Sequence, residues 1–186
     1  MRQELLSGGI LIVKPLITEK NIRRRIRRLA IEIVNEMGRG EETAVIALLD
    51  GSFMFLADLI RELYQLDFPL TVNFIGVSSY QGNTRSSGRL SWYRRPPLSA
   101  AERRVLLVDD ILDTGLTLNG VQQHLLRQNP TVLKTCVLLK KSKTRSFDNR
   151  VDFTGFTIPD VFVAGYGLDM NGRYRELPYI AAMTES

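Results

Sequence analysis

Apolar positions along this chain recur with a period that keeps changing. Ile22, Ile26, Leu29, Ala30, Ile33, Val34 and Met37 fall at helical spacing, which predicts an amphipathic helix. Thr18 suits its N-cap, Glu19 the positive end of its dipole, and Gly38 and Gly40 its end. A continuous apolar run follows, "TAVIALL" (43–49), which reads as a short buried strand ending in "DGS". "FMFLADLIREL" (53–63) predicts a largely buried helix, "LTVNFIGVSSY" (70–80) a second strand, and "RRVLLVDD" (103–110) a third. A helix is expected over about 115–128 and a fourth strand at "TVLKTCVLLKK" (131–141), with "VDFTGFTIP" and "FVAGYGLD" as later strands. Strands alternating with helices imply an α/β fold with a mainly parallel central sheet flanked by helices. No composition break or internal repeat divides residues 1–186, so one domain is expected.

Composition narrows the class. Apolar and charged fractions of 44% and 24% are those of an ordinary globular protein. Runs such as "AVIALL" are far too short to span a bilayer, and the N-terminus lacks the order of a secretory signal. A single cysteine, Cys136, leaves no internal disulfide, and no Cys/His cluster suggests zinc. The expectation is a reduced, cytoplasmic protein with no membrane partner. The net charge of +5 permits anionic partners without naming one. "RRRIRR" (23–28) looks like a nucleic-acid patch until it is placed on the first helix, where its arginines occupy the solvated side beside Glu32 and Glu36. By the same spacing His124 is expected at the surface, and Cys136 is read as a small buried hydrophobe.

In open parallel sheets ligands sit beyond the carboxyl ends of the strands. That rule singles out "LLDGS", "VSSYQGNTRSSG", "VDDILDTGLT" and "LLKKS". The second belongs to a long irregular stretch, residues 79–102, rich in Gly, Ser, Arg and Pro, and such a loop commonly serves as a mobile active-site lid.

The third segment carries the most chemistry. In "VLLVDDILDTGLTL" (105–118) an apolar strand runs into an Asp-Thr-Gly turn and then a helix. Backbone amides at Thr114, Gly115 and Leu116, hydroxyls of Thr114 and Thr117, and the helix dipole together suit a phosphate monoester. Neither GxxxxGK[ST] nor GxGxxG occurs. Three carboxylates, Asp109, Asp110 and Asp113, crowd the same turn and would repel phosphate alone. They make sense if the ligand is a sugar phosphate: Asp109 and Asp110 can accept from vicinal hydroxyls or help hold a divalent metal. Asp113 can face a reacting carbon whose developing positive charge it stabilises.

This turn resembles the phosphoribosyl-pyrophosphate (PRPP) motif of type I phosphoribosyltransferases. "LLDGSFMFLADL" resembles the pyrophosphate loop and following helix of hypoxanthine-guanine phosphoribosyltransferases, and "VSSYQGNTRSSG" their lid. "VLLKKSKTR" is similar to their purine-reading strand and "IPDVFVAGYGLDMNGRYRELPYI" to their C-terminal signature, so the likeness covers residues 17–180. It implies the type I phosphoribosyltransferase fold, with a small hood formed by the terminal segments and the long loop. It also implies a purine-salvage glycosyltransferase that moves 5-phosphoribose from PRPP to N9 of hypoxanthine or guanine, giving IMP or GMP and pyrophosphate with Mg2+ bound.

Carried onto this chain, the resemblance makes Asp113 the general base near purine N7 and sets Asp109 and Asp110 against the ribose and a magnesium ion. Thr114, Gly115, Leu116 and Thr117 hold the 5′-phosphate. Lys141, rather than Lys140, donates to O6, Phe162 stacks on the purine, and the Val163 backbone reads its edge. Asp169 binds magnesium, Arg175 contacts pyrophosphate, and Ser79 and Tyr80 sit on the lid. Asp50 and Gly51 lie in the pyrophosphate loop, where relatives often have a non-proline cis bond. Relatives often carry lysine where this chain has Asp50, so its carboxylate is expected to point away. A homodimer or homotetramer is implied, and no nucleic-acid partner. Two alternatives stay open: the same fold acting on another base such as xanthine, and a PRPP-sensing regulator that binds nucleic acid.

Overall fold

A computed structural model describes residues 4–6, 9–78, 91–94, 100–143 and 151–184. The first helix, α1 (Glu19–Met37), forms where the apolar stripe predicts it. Thr18 accepts from the Asn21 amide, and Gly38, at φ 72°, ends it with its N–H on the Val34 carbonyl. Its arginines do not all face water. Arg25 reaches across to donate to the carbonyls of Thr154 (2.7 Å) and Gly155 (2.8 Å) while pairing with Glu32 at 2.6 Å.

Six strands form the central sheet in the order β5–β4–β3–β6–β7–β8. These are β3 (Thr43–Leu49), β4 (Leu70–Ser78), β5 (Ser91–Arg94), β6 (Arg104–Leu112), β7 (Val132–Lys141) and β8 (Phe153–Ile158). All neighbours pair in parallel except β5, which runs antiparallel along the β4 edge. Both faces of the middle strands are buried, which explains why they read as continuous apolar runs. Val45, Ala47, Leu106 and Val108 pack toward α1 and α2 (Phe53–Tyr64). Ile46, Leu48, Val105 and Leu107 face the opposite way, toward α3 (Leu116–Leu126). The result is three layers with helices on both faces.

A second sheet, ordered β1–β2–β10–β9, joins the two ends of the chain. It consists of β1 (Glu4–Leu6), β2 (Gly9–Ile17), β9 (Val163–Ala164) and β10 (Ile180–Thr184), the hood that the resemblance implied.

Four expectations need correction. Residues 79–102 are not irregular throughout, since "SWYR" forms edge strand β5. "FVAGYGLD" is a strand only at Val163–Ala164, because Gly165, Tyr166 and Gly167 take positive φ and turn the backbone out of extension. The helix expected from 115 begins at Leu116, because Gly115 is left-handed at φ 79°. His124 is not a free surface residue: its ring lies half-buried with its centroid 4.7 Å from that of Trp92 and its Nε2 3.1 Å from Gln128 Nε2. Cys136 is fully buried as expected, and burial pushes its thiol well above the ordinary range.

Candidate active site

The carboxyl ends of β3, β4, β6 and β7 open onto one cleft of about 400 Å³. It collects Asp50, Gly51, Asp110, Asp113, Lys141, Phe162, Val163, Asp169 and Arg175, residues spread over more than a hundred positions of sequence.

Geometry at the β3 end is tight. The Leu49–Asp50 peptide is cis, and the Ser52 hydroxyl donates to the Leu48 carbonyl. A Cβ built on Gly51 would lie 1.7 Å from Asp110 Oδ2, so a side chain at this position would have to displace the Asp110 carboxylate at the tip of β6. On its other side the Gly51 carbonyl meets Gly167, where a Cβ would lie 2.3 Å away. The Asp50 carboxylate is engaged by the Tyr93 hydroxyl at 3.3 Å, and that hydroxyl also lies 3.2 Å from the Leu49 carbonyl.

At the tip of β6 the two adjacent acids part company. Asp110 lines the cleft, with its Oδ1 accepting from the Ile111 amide at 2.8 Å. Asp109 is buried behind it and accepts from the Asp110 amide at 3.0 Å. Successive strand side chains point to opposite faces, so the two could not both reach one ligand equally. Burial, and then the neighbouring Asp110 charge, hold the Asp109 carboxyl well above the ordinary carboxylate range; burial raises Asp110 as well.

Asp113 follows, half-exposed, and pairs with Lys141 at 2.7 Å. Lys141 also meets Asp160 at 3.4 Å, whereas Lys140 is exposed. Burial opposes the Lys141 charge, but Asp113 and Asp160 outweigh it and hold its pKa above that of an ordinary lysine. Phe162 is 53% exposed at the cleft edge, so it is not core, while Val163 is buried in β9. Across the cleft Asp169 pairs with Arg175 at 3.0 Å and accepts from the Gly172 amide at 2.8 Å; Arg175 also donates to the Gly167 carbonyl at 2.7 Å.

Thr114, Gly115, Leu116 and Thr117 lie beside the cleft in the turn that continues from Asp113 and opens α3. Ser79 and Tyr80 lie outside the described residues. Sequence reading missed two contributors. Tyr93 was hidden in the long loop, although "SWYR" is a short β-prone run. Asp160 was passed over although it stands beside the Phe162–Val163 pair.

Acids, a part-buried lysine and an arginine thus converge on one cleft, with an amide-bearing turn beside it. Residues 15–171 match the model of the phosphoribosyl transferase domain. The chain belongs to the phosphoribosyl transferase domain family. Other comparisons agree with this phosphoribosyl transferase assignment. A hypoxanthine-guanine phosphoribosyltransferase of Aquifex aeolicus is 44% identical over 168 residues, covering 90% of this chain and 93% of that protein. A hypoxanthine phosphoribosyltransferase of Salmonella typhimurium is 39% identical over 169 residues, with 90% and 93% covered. A solved ternary substrates complex of a hypoxanthine phosphoribosyltransferase variant from Trypanosoma cruzi superposes with a TM-score of 0.87 at 40% identity, covering 92% of this chain and 95% of that one.

Magnesium, implied by the family, would meet hard oxygen donors here in Asp110 and Asp169. Among the described residues no three metal-ligating side chains gather into a cluster. That donor set fits an ion held by one or two carboxylates and otherwise by substrate phosphate and water. No helix among the described residues is long and apolar enough to cross a membrane.

Proposed function

We propose that this protein transfers 5-phosphoribose from PRPP to N9 of a 6-oxopurine, hypoxanthine or guanine, and releases pyrophosphate. The observation that carries the reading is the Asp113–Lys141 pair, 2.7 Å apart at the mouth of the cleft. A carboxylate acceptor beside an ammonium donor complements a ligand edge with a donor next to an acceptor. The N7–H and O6 of a 6-oxopurine form such an edge, whereas adenine presents an amino donor in place of O6.

In the reaction the bond from C1 of the ribose to pyrophosphate oxygen breaks and the bond from C1 to N9 forms. Asp113 accepts the proton that the purine loses. Asp110 faces the ribose hydroxyls, and its negative charge favours the electron-poor sugar at the transition state. Asp109, buried behind, fixes the Asp110 backbone. The Thr114–Thr117 turn, with Gly115 and Leu116, holds the 5′-phosphate at the positive end of α3. Phe162 stacks on the purine, with Val163 at its edge. Arg175 and the amides of the Asp50–Gly51 loop receive pyrophosphate. Magnesium, held by Asp110 and Asp169 when bound, supplies neutralisation of the pyrophosphate charge. Ser79 and Tyr80 belong to the lid in this reading, which also has the enzyme acting in the cytoplasm as a homodimer or homotetramer.

Initial rates with PRPP and each of hypoxanthine, guanine, xanthine and adenine test the proposal. Nucleoside monophosphate formed from hypoxanthine or guanine supports it. Preference for adenine or a pyrimidine overturns it.

A further inference from the structure

The pyrophosphate loop of this chain carries a carboxylate, Asp50, which should repel the anion the loop is proposed to hold. The structure supplies a counter-measure. β5 is hydrogen-bonded to β4, with Trp92 opposite Val77 and Arg94 opposite Gly76. The Tyr93 ring fills the space where Gly76 lacks a side chain: a Cβ there would lie 2.1 Å from its Cε2. So fixed, Tyr93 presents its hydroxyl to both the Leu49 carbonyl and the Asp50 carboxylate. Asp50, Tyr93 and Arg175 line the same cleft.

We propose that Tyr93 is a positioning residue for pyrophosphate: by donating to Asp50 it holds that carboxylate at the foot of β5, away from Arg175 and from the anion. The inference rests on the phosphoribosyl transfer reading and deepens it. A phenol has one proton to give, so the Leu49 carbonyl and the Asp50 carboxylate share it, and the ionised partner forms the stronger bond. Without the hydroxyl, Asp50 is free to turn toward Arg175, where it competes with pyrophosphate for the cation. The site is close to solvent, so two unit charges about 4 Å apart there change affinity by roughly five- to tenfold.

The test is a double-mutant cycle on the full chain with Tyr93→Phe, Asp50→Asn and the pair. Each protein is read by KM for PRPP, KM for hypoxanthine, kcat, and calorimetric titration with inorganic pyrophosphate. Tyr93→Phe should raise KM for PRPP and weaken pyrophosphate binding about five- to tenfold, with smaller changes in kcat and in KM for the purine. In the Asp50→Asn background the same substitution should change both by less than about twofold, because no carboxylate remains to be released. Equal losses in both backgrounds, or a loss confined to kcat, would show that Tyr93 merely supports the fold, and the proposal falls. Absence of turnover in the wild-type chain would instead sink the enzyme reading, while the pyrophosphate titrations still decide the role of the pair.

Discussion

Gly51→Ala is the perturbation that best weighs how the cleft is built. The added Cβ would lie 1.7 Å from Asp110 Oδ2 and 2.7 Å from Asp110 Cγ, far inside the 3.4 Å at which ordinary contact begins. The loop cannot retreat freely, because its carbonyl is packed on Gly167, and the Leu49 carbonyl is engaged by Tyr93. Asp110 must therefore rotate, which breaks its bond from the Ile111 amide. Loss of a hydrogen bond to a charged group costs about 1.5 to 3 kcal/mol, and an off-rotamer side chain about 0.5 to 1.5 kcal/mol more. Together these are about 2 to 4.5 kcal/mol of misplacement at a residue assigned to the ribose, or on the order of 30- to 2000-fold in kcat/KM for PRPP. Steady-state rates with varied PRPP, with urea unfolding beside them, separate lost chemistry from lost fold. An alanine variant within about threefold of wild type would refute the claim that the loop and Asp110 must meet for function.

Other substitutions address single roles. Asp113→Asn should cut kcat by about 10²- to 10⁴-fold while PRPP binding, read by calorimetry, stays within a few-fold; undiminished turnover would put the base elsewhere. Lys141→Ala should chiefly erode discrimination between hypoxanthine and adenine, checked as the ratio of kcat/KM values, and an unchanged ratio would move the O6 contact to another group. Arg25→Ala removes donors from the carbonyls of Thr154 and Gly155 and should destabilise the fold by about 1 to 3 kcal/mol in urea unfolding, with kcat unaffected.

Sequence periodicity revealed those elements that make their own case locally. Helix α1 carries a full apolar stripe with caps at both ends, and strands β3, β6 and β7 are buried on two faces along their middles and carry apolar runs there. The hood was legible only through family likeness. Its strands β2 and β10 are partners from opposite ends of the chain, Ile17 beside Ile180, and no local pattern encodes such a pairing. Strand β5, four residues inside a long loop, is β-prone but too short to declare itself, and Tyr93 matters only because folding lays it over Gly76.

The cleft was legible in the same uneven way. Three of the four segments at strand ends converge, with Val77 at the start of the fourth beside them, because a parallel sheet brings its carboxyl ends to one edge; the rest of that fourth segment lies outside the described residues. What residue types alone could not decide is which of Asp109 and Asp110 lines the cleft. The pleat of β6 decides that, burying the first and presenting the second. Nor does the sequence disclose that Lys141 is shared between Asp113 and Asp160, since those carboxylates come from separate segments.

The measurement that bears most directly on the account is a crystal structure with a purine nucleoside monophosphate bound. The phosphate should lie on the amides of Thr114–Thr117, the ribose over Asp110, and the purine between Phe162 and the Asp113–Lys141 pair. A sugar phosphate seated anywhere other than the tip of β6 would contradict it.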